Sequence, residues 1–220
     1  MRERGHRVLR TGSCMMALFV VWTALIQVVD VRGVGPAGTA VGFAAFNRWF
    51  HQLTGVHMTI YRVTDWLGLV PVFICLAFGL IGFVQLVKRK SLGKVDFDIT
   101  LLGGYYLLVV LGYLLFEMVP INYRPVLIEG RLEASYPSST TLLVLSVMPT
   151  LAFQVRRRLR KGKGRSAVSV LTILFSLLMV IGRLLSGVHW FTDIVGAVLL
   201  STGLFCIYKA VVILYGKEEN

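Results

Sequence analysis

Apolar residues fall in long, nearly unbroken blocks along this chain, with none of the half-polar periodicity expected of helices on a water-soluble domain. Five blocks are plain, at about residues 66–87, 99–119, 141–155, 167–185 and 190–215. A sixth, at about 14–29, follows Arg2, Arg4, Arg7 and Arg10. A helix needs roughly 20 mostly apolar residues to cross the hydrocarbon core of a bilayer. The pattern therefore predicts an all-α polytopic membrane protein of about six transmembrane helices, with residues 1–220 forming a single membrane-embedded domain. An arginine-led first block also has the form of a signal peptide, but it is long and no small-x-small cleavage site follows it at once, so a retained helix is expected.

Between the first two blocks, residues 30–65 are Gly-rich and then aromatic, with Phe43, Phe46, Trp49, Phe50 and Leu53 at near-helical spacing. This pattern predicts an amphipathic helix, lying in the membrane interface or packed as a loop helix. The last two blocks are joined only by a tight turn around Ser186-Gly187.

Composition agrees with the pattern: 56% of residues are hydrophobic, only 15% are charged, and mean hydropathy is +0.74. That leaves too little polar surface to wrap a soluble domain. The formal net charge of +12 is not a nucleic-acid signature, because the positive residues sit in short blocks flanking apolar runs, where anionic lipid is the natural partner. Cys14, Cys75 and Cys206 lie inside apolar runs with no second cysteine or histidine at metal-ligand spacing, so they read as small core residues and carry no disulfide or redox information.

Lys and Arg concentrate on the cytoplasmic side of membrane proteins. With the N-terminus inside, seventeen of the 23 positive residues fall on that side, in residues 1–10, 88–94 and 156–165 and at Lys209 and Lys217. Only Arg32, Arg48, Arg62, Arg124, Arg131 and Arg183 fall on the other. Both termini are therefore expected to be cytoplasmic, and the loop at 120–139 and the turn at 186–190 share the non-cytoplasmic face of the cell membrane.

Those two segments hold the unusual polar residues. His189 and Asp193 are four apart at the start of a helix, so the carboxylate can hold the imidazole in one tautomer. Arg183 closes the preceding helix, and Arg124 precedes Pro125 in the other loop. Ser138, Ser139 and Thr140 open the fourth long helix, offering hydroxyls and free N–H groups where the helix dipole favours an anion. Ionisable groups at membrane depth are costly, and together these residues describe a phosphate pocket. Taken alone, the Arg183–Asp193 pair could equally be structural, and the Ser-Ser-Thr run an ordinary helix cap.

With these residues in view, the chain resembles the type 2 phosphatidic acid phosphatase and vanadium haloperoxidase superfamily. That family carries Lys-x6-Arg-Pro, Pro-Ser-Gly-His and Ser-Arg-x5-His-x3-Asp; this chain matches the third in Arg183, His189 and Asp193, the first in Arg124-Pro125 and the second in Pro137-Ser138. The resemblance implies that His189 attacks phosphorus to give a phosphohistidine, that Asp193 orients it, and that Arg124, Arg183 and Ser138 hold the phosphoryl oxygens. It implies a lipid phosphate substrate and neither metal nor other cofactor.

The departures are informative. Glu117 stands at the family's lysine, Ser139 at its glycine, Thr140 at the histidine that protonates the leaving group, and Gly182 at the serine before Arg183. A threonine is no general acid near neutral pH, which favours a polyprenyl diphosphate, whose leaving group is already a stable anion, over a phosphatidate-like monoester. Glu133 and Tyr136 are the available replacement acids. Two other readings stay open: a catalytically inactive relative that binds a lipid phosphate, and a small transporter.

Overall fold

The computed structural model describes residues 2–216 and is built of helices joined by short connections. The order is α1 (Arg2–Val28), α2 (Ala44–Thr54), α3 (Met58–Leu67), α4 (Leu69–Arg89), α5 (Phe97–Met118), α6 (Ser139–Arg158), α7 (Lys163–Leu185) and α8 (Phe191–Tyr215). Five stretches among the described residues are long and apolar enough to cross a membrane: α1, α3 with α4 as one, α5, α7 and α8. Lys217, counted in the charge argument, lies outside the described residues.

The sixth predicted span exists as α6, yet it falls short of the others in hydropathy for a physical reason. It lies in the middle of the bundle against α7 and α8 and buries Thr141, Ser146, Thr150 and Gln154. Neighbouring helices supply partners for this polar helix: Tyr106 Oη meets Thr150 Oγ1 at 2.7 Å, Gln154 Nε2 donates to Tyr208 Oη at 2.5 Å, and Tyr105 Oη donates to the backbone carbonyl of Ser146 at 2.9 Å. A helix that faces protein on most sides need not be as apolar as one that faces lipid.

The first block begins twelve residues earlier than its apolar run, at Arg2, and the whole of α1 lies along α8. Small residues set the approach. A Cβ added at Gly5 would stand 2.6 Å from Leu214, one at Gly12 2.9 Å from Ile207, and one at Gly203 2.7 Å from Met16. With no hydrophobic driving force between helices in lipid, such close backbone packing is what holds membrane helices together.

The two ends of the bundle differ. At one end, the last turn of α4, the last turn of α6 and the start of α5 meet around acidic residues. Arg89 donates to Asp96 at 2.6 Å, and Arg158 donates to the buried Asp98 at 2.8 and 3.1 Å. The basic blocks of the sequence therefore gather at this end.

At the other end lie α2, the 119–138 segment and the α7–α8 turn. The predicted amphipathic helix is α2, and it is docked as well as exposed. Phe46 and Phe50 meet Phe191 edge to face, and the buried Asn47 reaches the Gly42 carbonyl and Thr192 Oγ1, while Trp49 and Leu53 point outward. The stretch also holds a second helix, α3, which runs through the joint at Gly68 into α4.

Candidate active site

The α7–α8 turn owes its shape to Gly187, whose φ of +70° lies in the left-handed region. A Cβ there would meet the Gly55 carbonyl oxygen at 2.1 Å, so the turn sits directly on the link between α2 and α3. The His57 N–H donates to the Ser186 carbonyl at 3.0 Å, and His51 Nε2 lies 3.0 Å from the Gly187 carbonyl. This pinned turn places Arg183 on one side and His189 on the other, with Arg183 Nη2 3.3 Å from His189 Nε2.

His189 is 3% exposed. Its Nδ1 lies 3.1 Å from the Ser135 carbonyl oxygen, an acceptor only, so Nδ1 carries the proton and Nε2 keeps its lone pair. Burial, then the nearby charges of Arg183 and Arg124, hold its pKa well below the ordinary 6.5. The ring is therefore neutral, with Nε2 turned toward a guanidinium.

The orienting bond expected from Asp193 is made instead by the Ser135 carbonyl. Asp193 Oδ2 stands 3.8 Å from Nδ1, close enough to stabilise positive charge on the ring but beyond a hydrogen bond. Asp193 is fully buried and has other partners: Oδ2 accepts the Trp190 N–H at 2.9 Å, capping α8, and Oδ1 accepts Asn122 Nδ2 at 3.1 Å. Asn122 thus ties the loop to the turn.

Arg183 is 1% exposed, and α3 surrounds it. Its guanidinium lies over the Tyr61 ring at 4.9 Å, Nη1 reaches Thr64 Oγ1 at 3.5 Å, and Asp65 Oδ1 is 3.7 Å away. The unusual Gly182 makes this approach possible, because a Cβ there would stand 2.7 Å from Thr64 Cγ2.

The 119–138 segment supplies Arg124, 8% exposed. Its N–H donates to the Glu133 carbonyl at 3.0 Å, and its Nε lies 3.0 Å from Glu133 Oε2 without hydrogen-bond alignment. Arg124 Nη1 and Arg183 Nε are buried with no hydrogen-bond partner among the described residues. Unpaired buried donors of this kind are rare, and a guanidinium is suited in charge and geometry to a phosphate or carboxylate.

A cavity of about 210 Å³ joins these parts, lined among others by Arg124, His189, Ser139, Glu117 and Glu133. Of the three catalytic-motif positions only His189 lines this space, with Arg183 directly behind it and Asp193 buried beneath it, while Arg124 and Glu117 stand on the wall. Ser139, at the start of α6, lines the cavity, but its neighbours do not. Ser138 is buried with Oγ donating to Thr141 Oγ1 at 3.1 Å, and Thr140 lines a separate apolar groove of about 500 Å³ between α4, α5 and α6. Of the two replacement acids, Tyr136 has its hydroxyl bound to Thr23 Oγ1 at 2.7 Å, whereas the Glu133 carboxylate faces Arg124 at the cavity.

Sequence reasoning missed Tyr61, Thr64, Asp65, the Ser135 carbonyl and the role of Asn122. Asp65, an acidic residue directly before an apolar block, was the one available signal; a backbone carbonyl leaves none.

The fold and site together define a multi-pass membrane protein with a buried Arg–His–Arg pocket at one end of its bundle. The chain belongs to the PAP2 superfamily, whose family model matches residues 99–215. Its fold is similar to that in the crystal structure of the first transmembrane PAP2 type phosphatidylglycerolphosphate phosphatase from Bacillus subtilis, with a TM-score of 0.66 at 18% identity, covering 95% of this chain and 98% of that one. A search of curated protein sequences finds no match.

Proposed function

We propose that this protein is a membrane lipid phosphatase of the non-cytoplasmic face that works through a phosphohistidine at His189. The observation that carries the reading is the neutral, buried His189, locked through Nδ1 by the Ser135 carbonyl at 3.1 Å and bordered by two guanidiniums with unpaired buried N–H groups. Membership of the PAP2 superfamily and the fold support a phosphatase-type hydrolase. The outward orientation rests on the charge count, since the basic clusters lie at the bundle end opposite the pocket.

In the first step, His189 Nε2 forms a bond to phosphorus as the bond from phosphorus to the leaving oxygen breaks. Arg124, Arg183 and the start of α6 offset the charge on the equatorial oxygens. Asp193, 3.8 Å from Nδ1, stabilises the ring once it is phosphorylated and cationic. In the second step, water attacks phosphorus, the N–P bond breaks and phosphate leaves.

The leaving oxygen needs a proton if it belongs to an alkoxide and none if it belongs to a lipid phosphate. Thr140 is turned away from the cavity and cannot serve. Glu133 is the acid within reach, released from Arg124 when phosphate takes that guanidinium. A polyprenyl diphosphate and a phosphatidate-like monoester are therefore distinguished by Glu133.

The test is phosphate release by purified, detergent-solubilised protein from undecaprenyl diphosphate and from phosphatidate, with His189→Ala and Glu133→Gln alongside. Release from either lipid that His189→Ala abolishes is expected, with Glu133→Gln lowering monoester turnover far more than diphosphate turnover. No release from either lipid would favour the inactive lipid-phosphate-binding relative, for which the two carboxylates lining the cavity, Glu117 and Glu133, are the supporting observation.

A further inference from the structure

The electrostatics of the cavity do not match a simple phosphate dianion. Arg124 lines it, 8% exposed and with Nη1 unpartnered, which marks the place of an anion. The same small space is also lined by two carboxylates, Glu133, which already faces Arg124, and Glu117, which makes no ion pair among the described residues. Glu117 lies in the last turn of α5, where the negative end of the helix dipole disfavours a carboxylate and favours a cation.

Beside Glu117 the lining is aromatic: Tyr113, one turn before it, together with Phe116 and Tyr136. The Phe116 and Tyr136 rings meet edge to face at 5.7 Å. Aromatic rings beside carboxylates are the chemistry that binds an ammonium group. They do not suit a hard divalent cation, which wants six or more oxygen ligands. A diphosphate would bring still more negative charge against both glutamates.

We infer that the cavity is built for a zwitterion: a lipid phosphate monoester carrying an ammonium group a few bonds from phosphorus, with its phosphate on Arg124 and its ammonium against Glu117 and the aromatic wall. A long-chain 2-amino-alcohol phosphate has this chemistry. The inference rests on the phosphatase reading and narrows its substrate.

The test compares a long-chain 2-amino-alcohol 1-phosphate with its N-acetylated form and with the plain alkyl phosphate of equal length, presented in mixed micelles to the full-length protein. The amine lipid is expected to show a KM about tenfold lower than either control, the size of one partly exposed ion pair plus a cation–π contact. Glu117→Gln should collapse that ratio, and Glu117→Lys should invert it in favour of the plain alkyl phosphate. Equal KM values for all three lipids in wild type, or a preference that survives Glu117→Gln, would overturn the inference.

Equilibrium binding of the same lipids to wild-type and His189→Ala protein separates the two readings. If no lipid is hydrolysed, the phosphatase reading fails, and the binding ratio still decides. Tighter binding of the amine lipid that depends on Glu117 upholds the subsite, and equal binding refutes it.

Discussion

Gly182 tests whether the site is assembled by the close approach of α3 to α7. A Cβ at this position would stand 2.7 Å from Thr64 Cγ2, and Thr64 is itself buried against the backbone of its own helix, with Oγ1 donating to the Ile60 carbonyl at 2.8 Å. Real Cβ contacts are not found that close, so Gly182→Ala must push the two helices apart or force Thr64 off its rotamer. Overpacking of this kind costs about 1–3 kcal/mol. Alanine is better than glycine in a helix interior by about 1 kcal/mol, so the net loss is about 0–2 kcal/mol and the single mutant alone is a weak readout.

The coupling is the informative quantity. Thr64→Ala removes Cγ2, so the double mutant should recover what the overpacking cost, giving an interaction energy of about 1–3 kcal/mol in a double-mutant cycle. The assay is thermal unfolding of the four detergent-solubilised proteins, where each kcal/mol shifts Tm by about 2–4 °C in a chain of this size. Separation of α3 should also move Tyr61 and Asp65 away from Arg183, so Gly182→Ala should lower phosphate release more than it lowers Tm suggests. Additive effects of the two substitutions would refute the packing argument.

Four further outcomes follow from particular contacts. Because His189 has a depressed pKa, it remains neutral below pH 6.5, and the acid limb of kcat/KM should fall well under that value; Arg124→Gln, which removes one of the causes, should move the limb upward. The same shift means that the stability held above the unfolded value near 6.5 is lost as pH falls below it, readable as a falling Tm in an acid series that His189→Gln flattens. Asp193→Asn replaces an acceptor of the Trp190 N–H or of Asn122 by a donor, so it should cost about 1–3 kcal/mol in thermal unfolding as well as activity. Asp98→Ala strips the buried partner from Arg158; because Arg158 is partly solvated the loss should be about 1–3 kcal/mol, with kcat of the folded protein unchanged at the far end of the bundle.

Long apolar blocks made the helices legible, and the charge between them made the two ends legible. The weaker cases have definite causes. Helix α3 was disguised because residues 58–65 mix Thr59, Arg62, Thr64 and Asp65 with apolar side chains, and the block could be recognised only from Trp66. In α6 the reverse held, since its buried Thr150 and Gln154 side chains are met by Tyr106 and Tyr208 from other helices, pairings that no local pattern contains.

At the site, spacing within one segment was enough to bring Arg183, His189 and Asp193 together, and the shared end of the bundle was enough to add Arg124. What spacing could not distinguish was which way neighbouring side chains turn at a helix start. Ser138, Ser139 and Thr140 are consecutive, yet they reach Thr141, the cavity and a separate groove respectively. The carbonyl of Ser135 orients His189 through backbone alone, so its side-chain identity carries no trace of the role.

The central claim is a covalent phosphohistidine at His189. Rapid acid-sparing quench of the detergent-solubilised protein during turnover of a lipid labelled with radioactive phosphorus should leave an acid-labile, base-stable label on the peptide containing His189, absent from His189→Ala and lengthened in lifetime when the second step is slowed. Phosphate release that proceeds at the wild-type rate in His189→Ala, or turnover with label on another residue, would contradict the account.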